Sequence, residues 1–180
     1  MEYFDILDEN GNKTGERKLR EEVHRDGDWH KSVFMFVINS NAEIILQKRS
    51  ADKDTHPNMW TVSASGHLSA GESSIDTAIQ ELREEIGIKA SENQLEYLFT
   101  VKEQEIPKTG FIDNEFGDVY LLNIDVNIDE LVIQKEEVSE VKFVSYKELK
   151  QMVETQDKTL VLHEEIYRKL FEILNNRLGE

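Results

Sequence analysis

Residues 73–88 constrain this chain more than any other stretch. Ser73, followed three residues later by Asp76, reads as a helix N-cap, and Gly87 sits where a left-handed C-terminal residue belongs. Between them Ile75, Ile79, Leu82 and Ile86 recur at helical spacing and give the helix one buried stripe. Glu81, Glu84 and Glu85 are related by three- and four-residue steps, so they share another face within an arc of roughly 100°. Three carboxylates so placed repel one another, at about a few tenths of a kcal/mol per pair in water. A hard divalent cation such as Mg²⁺ or Mn²⁺ removes that repulsion. By itself the triad also fits a solvated acidic face, because the chain carries 37 Asp and Glu residues.

The flanking segments alternate strand and helix signals. Tyr3 to Leu7 reads as a strand, turned by Glu9-Asn10-Gly11-Asn12 into a second polar strand. Lys18 to Val23 suggests a short helix and residues 24–30 a loop. Ser32 to Asn39 is nearly continuous in apolar residues, as a central strand should be, and Glu43 to Lys48 returns after a turn. Met59 to Ser65 reads as one extended run. Further strands are expected at Leu95–Lys102, Phe116–Ile124 and Val141–Val144, and helices at Tyr146–Glu154 and Thr159–Leu178. The expected organisation is one α/β domain over residues 1–180.

Composition removes several function classes. With 180 residues and no cysteine, the chain has no disulfide framework, no Cys₄ zinc site and no thiolate nucleophile. A net charge of −16 repels duplex nucleic acid and anionic membranes. An anionic substrate would then need bound cations and local Lys or Arg to reverse the field. Neither a signal peptide nor a long apolar run is present, so the expected location is the cytoplasm.

Gly66, Glu72, Glu81, Leu82, Glu84, Glu85, Gly87 and Ile88 fill eight of nine specified positions of a known pattern. The stretch 66–88 resembles the Nudix box, G-x5-E-x7-R-E-U-x-E-E-x-G-U, where U is aliphatic. The departure is Gln80, where that family usually has Arg; Gln hydrogen-bonds but does not neutralise charge. The resemblance implies a Nudix α/β/α sandwich with a mixed sheet, carrying an N-terminal hairpin extension over about residues 1–28. It also implies Mg²⁺ (or Mn²⁺) held by Glu81, Glu84, Glu85 and the Gly66 carbonyl, with Glu81 or Glu115 as general base. The expected chemistry is hydrolysis of a diphosphate linkage in a small phosphorylated substrate, by a monomer or homodimer. Glu72 and Gly87 are expected to be structural.

Trp60 to His67 and Asp113-Asn114-Glu115 also resemble type I isopentenyl diphosphate isomerase, which shares this fold. Ser65 stands where those isomerases use a Cys, and a hydroxyl is a far poorer acid than a thiol. That difference favours hydrolysis over an isomerase-like reaction, as does the retention of Glu81, Glu84 and Glu85, and the same intact glutamates argue against an idle, ligand-sensing fold. The same resemblance suggests a second metal site from His24, His30, His67, Asp113 and Glu115, the alternative being ordinary loop histidines. It further implies Arg49 and Lys53 as diphosphate contacts. His56 and His163 read as surface residues, and Trp29 and Trp60 as either stacking platforms or core.

Overall fold

The computed structural model describes residues 1–106 and 110–179. Its nine strands are β1 (Tyr3–Leu7), β2 (Lys13–Leu19), β3 (Trp29–Ile38), β4 (Glu43–Arg49), β5 (Trp60–Thr61), β6 (Ala64–His67), β7 (Leu95–Glu105), β8 (Asp113–Asn123) and β9 (Val138–Ser145). The helices are α1 (Arg20–Asp26), α2 (Ser74–Ile86), α3 (Tyr146–Glu154) and α4 (Glu164–Leu178).

The sheet is organised around β3. That strand pairs in parallel with β8 from Trp29↔Asn114 to Ile38↔Asn123, and β8 pairs antiparallel with β7. On its other side β3 pairs antiparallel with β6, and it meets β1 and β4 at its two ends. β4 in turn carries β9 and β5. The mixed sheet expected from the resemblance is therefore present, with β1 and β2 forming the N-terminal hairpin.

Because side chains alternate along a strand, β3 feeds two cores. Phe34, Phe36 and Ile38 pack with Leu149 of α3 and with Ile166, Tyr167, Leu170 and Leu174 of α4. Val33, Met35 and Val37 face the opposite way, onto Ala78, Leu82 and Ile86 of α2. Helices thus cover both faces, giving the α/β/α layering.

Helix α2 begins and ends where its caps require. The Ser73 hydroxyl accepts from the Asp76 N–H, and Gly87 takes φ 74° with its N–H donating to the Leu82 carbonyl. A Cβ at Gly87 would also lie 2.8 Å from the Val132 backbone nitrogen. The Gln134 N–H donates to the Glu85 carbonyl, fastening the same segment to the helix end.

Several boundaries differ from the sequence reading, for local reasons. The first helix starts and ends later than Lys18–Val23: the Glu22 carboxylate accepts from the Leu19 N–H, and Gly27 closes it in the left-handed region. His24 is therefore helical rather than a loop residue. The run from Met59 to Ser65 divides into β5 and β6, with the Ser63 hydroxyl accepting from the Val37 N–H and donating to the Ile45 carbonyl. α4 starts at Glu164, because residues 159–161 exchange backbone hydrogen bonds with Trp60.

Gly15 and Gly87 separate backbone strain from crowding, since Gly15 (φ 89°) has nothing within 4 Å of an added Cβ. Gly15→Ala should cost about 1 kcal/mol of stability, the left-handed penalty alone. Gly87→Ala should cost about 3 kcal/mol, strain plus overpacking against backbone. Urea unfolding midpoints of the two variants check the difference.

Candidate active site

A cleft of about 1080 Å³ opens over one sheet face, between the box helix and the start of α4. Strand register decides which side chains enter it. His30 lies beside Glu115, which lies beside Glu103; Ser32 lies beside both His67 and Gly117; Asp113 lies beside Glu105. Paired residues share a face, so these polar groups are gathered on one surface.

The box helix supplies the acidic wall. Glu85 is 7% exposed, and its Oε2 accepts from Gln47 Nε2 at 2.9 Å and from the Ser65 N–H at 3.0 Å. Burial pushes its carboxyl up to about 7, against those two hydrogen bonds and helped by the Glu137 charge. Glu81 is driven higher, to about 8, by burial first and then by the charges of Glu85 and Glu84. Its carboxylate occupies the space where a Gly66 side chain would begin, which explains the glycine. Glu84 is exposed at the cleft rim. Glu72 does not join this wall; it accepts from the Ser69 N–H and from Thr77 Oγ1, tying the loop to the helix.

Gln80 is exposed, and no ion pair involves Arg83 among the described residues. The acidic wall thus lacks a guanidinium partner from its own helix.

A second group converges on a point a few residues away. Nε2 of His24, His30 and His67 lie 3.5, 3.3 and 3.8 Å from Asp113 Oδ1. One ligand atom from each of the four residues falls within 4.8 Å of all the others. None of these atoms has a well-directed hydrogen bond, although His67 Nε2 lies 2.9 Å from Glu115 Oε1. Nδ1 of His24 faces the Arg20 carbonyl at 2.8 Å and Nδ1 of His30 faces the Asp28 carbonyl at 3.1 Å. A proton on each Nδ1 leaves the Nε2 lone pairs aimed inward, the tautomer a metal requires. Phe4 stacks on His30 and His67, and Phe111 stacks on His24, so apolar rings enclose the cluster. Burial disfavours a charged His67, but the adjoining Asp113 and Glu115 carboxylates carry it up to about 9. Burial opposes the Asp113 charge too, yet its three histidines hold that carboxyl well below the usual range.

Arg49 and Lys53 both line the cleft, but neither is idle. Arg49 donates to the Thr55 carbonyl and hydroxyl at 2.9 and 3.1 Å, and Lys53 pairs with Glu137. Trp29 packs on Phe116 under Lys102, and Trp60 lies under Lys142 against the edge of the core; both are half-buried. His56 and His163 are half-buried rather than freely exposed. They pair with Glu105 and Glu103 at 2.8 and 2.9 Å and line the cleft.

Sequence reasoning passed over Gln47, Glu137, Glu103 and Glu105. Gln47 had a signal: it continues the Ile45 face of an otherwise apolar strand, where a polar residue needs a buried partner. The others had none.

The molecule is therefore an α/β/α sandwich whose cleft joins a buried carboxylate wall to an imidazole cluster. It belongs to the Nudix family: the NUDIX domain model matches residues 28–163. The chain is 41% identical over 182 residues to "Nudix hydrolase 3" of Arabidopsis thaliana, covering 98% of this chain but 24% of that protein. It thus spans about a quarter of that relative's length. An isopentenyl-diphosphate Delta-isomerase of Pectobacterium atrosepticum is 29% identical over 146 residues, 81% of this chain and 78% of the enzyme. Among solved structures, a Deinococcus radiodurans protein matches with a TM-score of 0.72 at 19% identity, covering 93% and 98% of the two chains.

Charge balance in the cleft fixes a pH dependence for the metal-free protein. Glu81 and Glu85 hold protons to about 8 and 7 against an ordinary 4.5, so the folded state binds more protons than the unfolded one across that window. Stability must then fall as pH rises through it. The raised His67 acts in the same direction, its contribution being complete below 6.5 and lost as pH rises through about 9. Asp113 contributes above 3.8 and is lost on acidification below that value. In EDTA the melting temperature should decline from about pH 5 to pH 9, and Glu81→Gln should flatten the decline. A melting temperature that is level across this range would contradict the buried-carboxylate account.

Proposed function

We propose that this chain hydrolyses a diphosphate linkage in a small phosphorylated substrate, using Mg²⁺ or Mn²⁺. The substrate class is a nucleoside di- or triphosphate, or another nucleoside diphosphate linked to a second group. The observation that carries the reading is the crowding of Glu81, Glu84 and Glu85 at the cleft, two of them buried enough to resist ionisation. Such repulsion is offset when a cation is shared between the carboxylates. The family match and the relative named a Nudix hydrolase support hydrolysis as the reaction type.

The donor sets fit metals of two kinds. Glu81, Glu84 and Glu85, with the Gly66 carbonyl, would hold a hard ion; His24, His30, His67 and Asp113, with Glu115 alongside, would hold a borderline one such as Mn²⁺. When bound, such ions neutralise charge on phosphate oxygens and lower the pKa of a water. Arg49 supplies fixed positive charge toward the diphosphate. Lys53 adds to it on exchanging Glu137 for a phosphate oxygen. Glu81 or Glu115 takes the water proton while the water oxygen bonds to phosphorus and the bridging P–O bond breaks.

The isomerase relatives raise a competing reaction, but Ser65 weakens it. The Ser65 N–H is bound to Glu85, and its hydroxyl is the only side-chain acid that the residue offers. A hydrolase releases a phosphorylated fragment, whereas an isomerase returns its diphosphate intact.

Product release from a panel of diphosphate compounds, with Mg²⁺ or Mn²⁺, tests the proposal. Turnover should require the metal and should fall by about 100-fold or more in Glu84→Gln/Glu85→Gln. An isomerised product with its diphosphate retained would reverse the assignment. Gln80→Arg should lower the Mg²⁺ concentration needed for half-maximal activity; an unchanged metal titration would remove Gln80 from consideration.

A further inference from the structure

All five histidines of the chain face acidic residues of β7 and β8. Three of them form the inner cluster described above. The other two make a separate outer tier, in which His163 Nδ1 meets Glu103 Oε2 at 2.9 Å and His56 Nε2 meets Glu105 Oε1 at 2.8 Å. This tier lies one strand outward from the inner one, since Glu103 neighbours Glu115 and Glu105 neighbours Asp113. The His163 ring stands edge-on to Phe34 at 5.0 Å, and its Nε2 is 3.5 Å from the Thr61 hydroxyl.

A second observation points to a ligand in the same cleft, which Ser32, Glu103 and His163 all line. Ser32 is 2% exposed and lines the cleft, and its hydroxyl has no hydrogen-bond partner. Across from it Gly117 lets the Phe34 ring pack directly on the backbone: a Cβ there would collide with that ring and lie 3.3 Å from Ser32 Oγ. A buried hydroxyl without a partner costs free energy that a bound group can recover.

We infer that the outer tier, His163–Glu103 with Ser32, binds the part of the substrate beyond the diphosphate, and that this part bears hydroxyl groups, as a sugar does. This rests on the diphosphate-hydrolase reading. Glu103 accepts hydrogen bonds, the Ser32 hydroxyl donates or accepts, and His163 orients the carboxylate while offering Nε2 to a hydroxyl. An isoprenoid tail in this position would leave Ser32 unpaired and cover the polar dyad without bonding to it, which is how polar sites reject apolar analogues.

The test compares UDP-glucose with isopentenyl diphosphate in wild type, His163→Leu, His163→Gln and Ser32→Ala. Steady-state kinetics are run in Mg²⁺ and binding calorimetry in Ca²⁺, with thermal melts to show that each variant is folded. Wild type should favour UDP-glucose by ~100-fold in kcat/KM and in affinity. His163→Leu and Ser32→Ala should each raise KM for UDP-glucose about tenfold with little change in kcat, leaving isopentenyl diphosphate unaffected or improved. His163→Gln should restore part of the loss. Equal affinity for both ligands, no binding of UDP-glucose, or a preference untouched by both His163→Leu and Ser32→Ala would overturn the inference. Absence of turnover with clear selective binding would instead strike the hydrolase reading and leave the recognition tier standing.

Discussion

The parallel pairing of β3 with β8 is the constraint on which the rest depends. It runs the whole length of β3, from Trp29 to Ile38, and both strands are buried over most of it. One register sets His30 beside Glu115 and Ser32 beside Gly117 on the cleft face, while Val33 and Met35 go to the box helix. A one-residue slip would send every one of these side chains to the wrong face. Antiparallel partners on either side then extend the same face outward, through β6 to His67 and through β7 to Glu103.

Against that frame the box helix acts as a wedge of charge. Its apolar stripe seats on the sheet through Ala78, Leu82 and Ile86, and this is what forces Glu85 into a buried position. The sheet answers with two donors to one oxygen, Gln47 Nε2 and the Ser65 N–H, so the carboxylate is held but not neutralised. Packing energy on one side of the helix therefore sustains electrostatic stress on the other.

How much of this could be read from the chain follows from what is local. The caps at Ser73 and Gly87, the stripe from Ile75 to Ile86 and the three glutamates sit within one helix, and their arrangement was visible in the spacing. The nearly continuous apolar run of β3 was readable for the same reason. His24, His30, His67 and Asp113 came only by resemblance, because four elements supply them and no periodicity links them. Glu103 and Glu105 look like ordinary charges at a strand end; only their register against Glu115 and Asp113 turns them inward. His163 was misplaced because the segment before α4 was read as helix, whereas backbone hydrogen bonds to Trp60 hold it extended.

Phe4 belongs to the N-terminal hairpin, yet its ring lies flat on two of the inner histidines, with Phe111 covering the third. These rings cover the cluster on their side. By contrast Glu84 stands at the open rim, in reach of bulk water. Wetting is then what separates the two regions: the inward imidazole nitrogens are shut off from bulk water, while the outer edge of the helix stays bathed in it.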